Sequence, residues 1–419
     1  MEKNKVLPAG WAEAKLGEIC CIKTGDKDVN EGSLNGEYPF FTCSKDVYRF
    51  ATYSFEGEAI LVAGNGNFNI KKYCGKFEAY QRTYVLQNFS SDYAYLYYYL
   101  SGNLDELTKD NRGSTVRYIR IGNLTEFNVR TPPINEQHRI VERLEELFSE
   151  LDAGVKALKT AQEQLRVYRQ AVLKDAFEGV IGGHILEKKI RDISTLVTSG
   201  SRGWAQYYSS EGAKFIRIGN LTRDSIKLDN SDIQRVSLPD NAEGIRSQLK
   251  GQDLLISITA DIGSIAVVPD DIGEAYINQH ISLVRLKDSL YSKYIAYYLK
   301  SETGRKRLLM HERGATKKGL GLDDIRDTCV PMPDIKVASE IVVNVEMYLS
   351  ICDKFEETIE QSLAKAETLR QSILQQAFAG KLVEQDPNDE PAYKLLERIR
   401  LARENDKVEK AAAKGRTKK

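Results

Sequence analysis

From Leu144 onward, apolar residues recur at alternating steps of three and four: Leu144, Phe148, Leu151, Val155, Leu158, Leu165, Val172 and Ala176, interrupted by Gln162 and Arg169. A seam of this period predicts a helix that buries one stripe against a partner helix. It begins after Pro132-Pro133, with Asn135 as candidate N-cap, and ends before Gly179 and Gly182-Gly183. At 1.5 Å per residue the helix is roughly 65 Å long. A second seam has the same spacing: Val345, Leu349, Cys352, Ile359, Leu363, Ala366, Ile373 and Ala377, interrupted by Glu356 and Arg370. Antiparallel pairing would bring Glu356 to the level of Leu165 and Arg169, where opposite charges fix register at some cost in stability.

The two seams are copies. At a constant offset of 201, Arg112-Gly113-Ser114-Thr115 overlays Arg313-Gly314-Ala315-Thr316, Asp152 overlays Asp353, Arg169-Gln170 overlays Arg370-Gln371, and Ala176-Phe177 overlays Ala377-Phe378. Upstream the register drifts but landmarks keep their order. Gly57–Val62 and Gly251–Ile256 both read as buried strands, and Tyr95–Leu100 and Tyr294–Leu299 as aromatic helix faces. The chain therefore reads as an α+β tandem duplication with pseudo-two-fold character: two globular α/β segments, 1–133 and 183–333, separated by two long helices, 134–182 and 334–386, packed as an antiparallel coiled coil. Residues 387–419 read as a basic, disordered tail. One repeat breaks the register. Ile119-Arg120-Ile121-Gly122-Asn123-Leu124-Thr125 is identical to Ile216–Thr222, but at offset 97, so the copies occupy different places in their halves.

Composition narrows the chemistry. Sixty basic and sixty acidic residues balance to zero net charge in 419 residues, which counts against a protein that grips a polyanion unaided. No apolar run approaches the roughly 18 residues of a membrane span, and the start lacks a signal core, so a cytoplasmic protein without membrane association is expected. The six cysteines show no Cys-x-x-Cys spacing and read as reduced core residues; no metal site is suggested. Phosphate-loop, dinucleotide, zinc-protease and nucleophile-elbow motifs are missing from the sequence. Thr131-Pro132-Pro133-Ile134 reads as a helix-start turn, and Asp26–Asn30 as a turn in place of a calcium loop. No catalytic residue is assigned; a binding protein is expected.

The candidate binding residues lie in polar loops rich in glycine. In the first segment they are Lys23, Thr24, Lys27, Asn65, Asn67, Arg82, Arg112, Ser114 and Thr115. In the second they are Ser201, Arg202, Thr259, Asp261, Ser264, Gln279, Arg313, Thr316, Lys317 and Lys318. Arginine suits guanine edges, amides suit adenine, and lysines suit phosphates, so two such loop sets point to double-stranded DNA. The alternative is a non-enzymatic coiled-coil scaffold with two protein-binding heads, which should expose apolar, aromatic patches in place of these loops.

These features together resemble the specificity subunit of type I restriction-modification systems. Leu7-Pro8-Ala9-Gly10-Trp11 with Lys15-Leu16-Gly17-Glu18-Ile19 is similar to the family's opening, and Pro132-Pro133-Ile134-Asn135-Glu136-Gln137-His138-Arg139-Ile140-Val141 to its central helix start. Gln170–Gly179 and Gln371–Leu382 are similar to its two helix ends; Lys336-Val337-Ala338 departs from the Glu-Gln pair usual at the second helix start. The resemblance implies two target-recognition domains, each reading one half of a bipartite site, with the helices fixing the unread gap. It implies two methyltransferase subunits as partners, restriction subunits in the full complex, and adenine methylation or cleavage by those partners. No cofactor is bound by this chain on that reading; S-adenosylmethionine, ATP and Mg2+ belong to the partners.

Overall fold

The computed structural model describes residues 7–32, 35–181, 185–200, 202–239, 245–259, 261–310 and 319–416. In chain order, strands Ala12–Lys15 (β1) and Cys21–Thr24 (β2) flank a single helical turn, Leu16–Ile19 (α1). Strands Tyr38–Phe41 (β3), Val47–Phe50 (β4), Phe55–Ala63 (β5), Ile70–Ala79 (β6) and Thr83–Gln87 (β7) follow. Helices Tyr93–Gly102 (α2), Leu104–Thr108 (α3) and Ile121–Thr125 (α4) lead to strand Asn128–Thr131 (β8) and the long helix Ile134–Ile181 (α5). The second half opens with strand Glu187–Lys189 (β9), turn Ile190–Ile193 (α6) and strand Ser194–Ser199 (β10). Strands Tyr208–Ser209 (β11), Ala213–Ile216 (β12), Gln234–Val236 (β13), Leu254–Ser257 (β14), Ile265–Val267 (β15), Ala275–Ile277 (β16) and Ile281–Leu286 (β17) come next. Helices Ser292–Lys300 (α7), Glu302–Leu309 (α8) and Leu322–Asp327 (α9), strand Cys329–Pro331 (β18), and helices Ile335–Ala377 (α10) and Ala392–Arg416 (α11) complete the chain.

The chain divides into two units, residues 1–157 with 362–419, and residues 158–361. Each unit thus takes a stretch of both long helices. In the first, six strands form a sheet in the order β2-β7-β5-β6-β3-β4, and β1 pairs antiparallel with β8. Gly57 and Gly75 face each other across β5 and β6, both at positive φ, a conformation that glycine adopts without a Cβ clash. The second unit has two four-stranded sheets, β10-β17-β14-β15 and β11-β13-β12-β16, with β18 paired antiparallel to β9 as β8 is to β1.

The duplication is visible in the packing. In the first unit Phe378 of α10 sits edge-on against Tyr95 and Tyr99 of α2, with ring centroids 5.8 and 4.9 Å apart. In the second, Phe177 of α5 sits against Tyr294 and Tyr298 of α7, both at 5.5 Å. Each aromatic helix therefore receives the long helix that its own copy does not lead into. All six rings are buried, and each is worth roughly 1.5–3 kcal/mol of hydrophobic stabilisation. Along both seams every position is buried or half-buried, including Leu144, Phe148, Leu151, Val155, Leu158 and Leu165 in α5 and Leu349, Ile359, Leu363 and Ile373 in α10. The polar interruptions meet as antiparallel pairing requires: Arg169 Nη2 donates to Asp353 Oδ1 at 2.5 Å and to Glu356 Oε2 at 2.9 Å.

Three expectations are corrected. Helix α5 begins at Ile134, so Asn135 lies inside its first turn and its amide donates to Asp389 Oδ1 at 3.0 Å; it does not cap the helix. Only Cys20 and Cys352 are buried; Cys21 and Cys74 are exposed and Cys43 and Cys329 half-buried, although all six are unbridged thiols. Residues 392–416, expected to be disordered, form α11. Ala392, Leu396 and Ile399 give this helix an apolar face on the first unit's core, and Arg403 donates to Gly17 O at 2.6 Å. Counting charges obscured that face. Helix α10 ends in a Schellman turn: Lys381 N–H donates to Gln376 O at 2.9 Å and Gly380, at φ +68°, to Ala377 O.

The start of α5 is an internal clasp. Glu136 is buried and accepts from Trp11 Nε1 at 3.0 Å. Gln137, also buried, accepts from Ser91 Oγ at 2.7 Å and Asp92 N at 2.8 Å. At the second helix start the corresponding Val337 is 41 % exposed and Ala338 buried, so that clasp exists in one unit. No helix among the described residues is long and apolar enough to cross a membrane.

Candidate nucleic-acid interface

In the first unit the strand register gathers the candidate loops. Thr24 ends β2 opposite Tyr84, and Ala63 ends β5 opposite Thr83, so the ends of β2 and β5 flank the start of β7. The Arg82 carbonyl accepts from Gly64 N–H at 2.8 Å, and Lys27 O accepts from Gln81 N–H at 3.0 Å. Residues 112–118 form a hairpin closed by paired backbone bonds between Arg112 and Tyr118, and it is tied to the same end by Gly66 N–H to Arg117 O at 2.8 Å. Lys23, Thr24, Lys27, Asn65, Asn67, Arg82, Arg112, Ser114 and Thr115 therefore share one end of the sheet, and all but half-buried Lys27 and Asn65 are exposed. An open cleft of about 1030 Å³ adjoins the hairpin, lined in part by Glu106, Asp110, Arg112, Arg120 and Arg130.

The second unit repeats the arrangement with different side chains. Ser257 of β14 pairs with Ile281, and Ile258 N–H donates to His280 O at 2.9 Å, which sets Thr259 beside Gln279 and His280. The His280 ring links them, with Nδ1 2.7 Å from Thr259 Oγ1 and Nε2 3.0 Å from the Gln279 amide. Asp261 accepts from Arg223 Nε at 2.6 Å and Ser264 Oγ at 2.7 Å, and the Arg223 guanidinium holds its carboxyl below the usual range. Ser264 is 1 % exposed, so its hydroxyl orders the loop from within. Arg202 is exposed on a separate turn before Trp204. Ser201, Arg313, Thr316, Lys317 and Lys318 lie outside the described residues.

Two glycines show how the fold builds these ends. A Cβ on Gly25 would lie 1.9 Å from Ala79 O, and one on Gly200 would lie 1.9 Å from Ile277 O. No side chain fits at either position, so β2 and β10 can leave their sheets only through glycine. Sequence reasoning missed several residues at these ends. His280 and Arg223 lack any motif. Arg117 lies 5.9 Å from the Phe68 ring as a cation–π partner. Arg120 and Arg217 carried a signal, the heptapeptide identity that falls out of register.

Lys300 sits below the second cluster, its ammonium donating to Thr222 O at 3.1 Å and Ser225 O at 2.9 Å. Burial pushes its pKa down to about 8. Among the described residues no group of three or more histidines, cysteines or acids is placed to hold a metal ion.

Residues 8–160 and 187–365 match the family described as "Type I restriction modification DNA specificity domain", once in each half. The chain is 28 % identical to the EcoDI specificity subunit of Escherichia coli over 97 % of this chain and 98 % of that one. It is 24 % identical to the EcoBI specificity subunit of Escherichia coli, over 85 % of this chain and 82 % of its relative. Among solved structures it superposes on a chain from a study of complex assembly and conformational transition of the type I R-M system, with TM-score 0.70 and 17 % identity, covering 90 % of this chain and 99 % of the other. The HsdS subunit from Thermoanaerobacter tengcongensis gives TM-score 0.52 and 17 % identity, over 91 % and 100 % of the two chains. Matched twice, over most of its length, the chain belongs to the type I restriction-modification DNA specificity family.

Proposed function

We infer that this chain is the sequence-specific double-stranded DNA recognition subunit of a type I restriction-modification complex. Each globular segment reads one part of a two-part target through its loop cluster, and α5 and α10 set the length of the unread gap. The observation that carries this reading is the pair of loop ends: the same strand register, β5 on β7 and β14 on β17, one in each copy of the duplication, dressed with different polar side chains. Two copies that kept their frame and changed their loops suit an asymmetric, bipartite site.

The chain itself is non-catalytic. Two methyltransferase subunits and, in the full complex, restriction subunits act where it directs them, and S-adenosylmethionine, ATP and Mg2+ enter with those partners. Balanced charge fits this division, because partners supply much of the phosphate contact. Exchange of residues 183–333 for the matching segment of a specificity subunit of different target is the experiment. One part of the methylated motif changes and the other stays; a change in both parts would remove the two-reader scheme.

A further inference from the structure

The heptapeptide shared by residues 119–125 and 216–222 occupies two different places in the fold, yet it makes the same turn in each. Arg120 N–H donates to Asn123 Oδ1 at 2.9 Å, and Arg217 N–H donates to Asn220 Oδ1 at 2.9 Å. Ile119 and Leu124 are buried, as are Ile216 and Leu221. The asparagine and the two apolar residues are thus explained by the fold.

The Arg-Ile-Gly between them is not explained in this way. The place in the second unit that corresponds to Ile119–Leu124 is Leu320–Ile325, which keeps the buried pair and the cap, Gly321 N–H donating to Asp324 Oδ2 at 2.7 Å. It carries Gly321-Leu322-Asp323 where the first unit has Arg120-Ile121-Gly122. The turn therefore tolerates other residues at these three positions, with Leu322 half-buried where Ile121 is exposed. Gly122 and Gly219 need no glycine either: neither has a positive φ, and a Cβ on either would meet nothing within 4 Å. Both turns also adjoin the loop end of their own unit, through Ile119 N–H to Gly64 O at 2.9 Å and Asn278 N–H to Ile216 O at 3.1 Å.

An Arg-Ile-Gly, exposed throughout at Arg120–Gly122 and half-buried at Arg217 and Ile218 with Gly219 exposed, stands in two copies beside two loop sets that differ and points to a feature common to both parts of the target. Base edges differ between the parts; the sugar-phosphate backbone does not. We propose that Arg120 and Arg217 each hold a backbone phosphate of the bound duplex, with Gly122 and Gly219 leaving room for its close approach. The proposal rests on the DNA-recognition reading above. The Arg120 guanidinium has no hydrogen-bonding or ion-pair partner among the described residues and borders the open cleft. Arg217 is paired with Asp232 at 2.8 Å, a partner itself 87 % exposed, so exchange for a phosphate costs little.

The test measures fluorescence anisotropy of the chain assembled with its methyltransferase partner, on one duplex carrying its methylated motif and one scrambled duplex, across a salt series. Arg120→Ala and Arg217→Ala each weaken both duplexes by the same factor, roughly fivefold, and each makes the slope of log affinity against log salt shallower by about one, with the methylated motif unchanged. Gly122→Asp and Gly219→Asp, which add a negative charge in open space without disturbing the Asp232 pair, weaken both duplexes likewise. Loss confined to the motif duplex with a relaxed methylation pattern would make these base contacts and overturn the proposal. So would wild-type affinity and salt slope in all four variants. A wild-type complex that does not prefer its motif duplex would instead remove the DNA-recognition reading itself.

Discussion

Arg169 and Asp353 are bonded at 2.5 Å, and the pair is repeated: Arg370 bonds to Asp152, the same two positions of the duplicated helix with the copies exchanged. An antiparallel pair of equivalent helices generates this twice over, because position x of one meets position y of the other and vice versa. Arg169 is 9 % exposed and is also held by Glu356; Arg370 is more open and lies 4.5 Å from the Phe148 ring. Arg169→Ala leaves two acids facing the seam and lowers stability by about 1–3 kcal/mol in urea titration. Arg169→Asp with Asp353→Arg recovers part of that loss. Failure of the double variant to exceed the single Arg169→Asp would deny the pairing.

Two tyrosine pairs at equivalent places differ in what they bond. Tyr95 O–H donates to Arg130 O at 2.6 Å, whereas the hydroxyls of Tyr294 and Tyr298 are buried without a partner among the described residues. Tyr95→Phe therefore costs about 1 kcal/mol, and Tyr294→Phe and Tyr298→Phe are neutral or stabilising, since an unpaired buried hydroxyl is unfavourable. Thermal unfolding of the three variants measures the contrast.

Two neighbouring acids respond to pH in opposite senses. Asp389 accepts from Arg139 at 2.7 Å, and that bond holds its carboxyl below the usual range, so the stability it adds is complete above about pH 4, the unfolded value, and is lost as pH falls through the lower folded value. Glu136 is raised by burial, so ionising it opposes folding at neutral pH and the opposition fades on acidification. Asp389→Asn flattens the acid limb of the stability curve, and Glu136→Gln, which still accepts from Trp11, leaves stability at pH 7 unchanged or higher. A steeper acid limb in Asp389→Asn would contradict the assignment.

If the long helices set the gap, lengthening both together changes the gap alone. Insertion of one heptad near Leu158 in α5 and another near Leu363 in α10 keeps both seams in phase. Methylation mapping then returns the same two half-sites with a different number of bases between them; an altered half-site would refute the spacer role.

The helices and their register were legible because a heptad seam is a local pattern and an exact offset survives duplication. Glu356 beside Arg169 followed from those two facts alone. What escaped notice depended on partners distant in sequence. The apolar face of α11 matters because Gly17 and the first unit's core lie under it, almost 400 residues away along the chain. Likewise Ser264 carries the residue type of a DNA contact, but its place under Asp261 turns it inward. Gly25 and Gly200 stand in polar loops of the sequence, and only the fold makes them sites of tight backbone approach.

The central claim is that this chain gives a two-part DNA target to a methyltransferase, and a long-read map of N6-methyladenine across the source genome, with the gene present and deleted, tests it most directly. A gapped, two-part methylated motif that disappears on deletion is the predicted result. No gene-dependent motif, in cells where the partner methyltransferase is expressed and active, would contradict it.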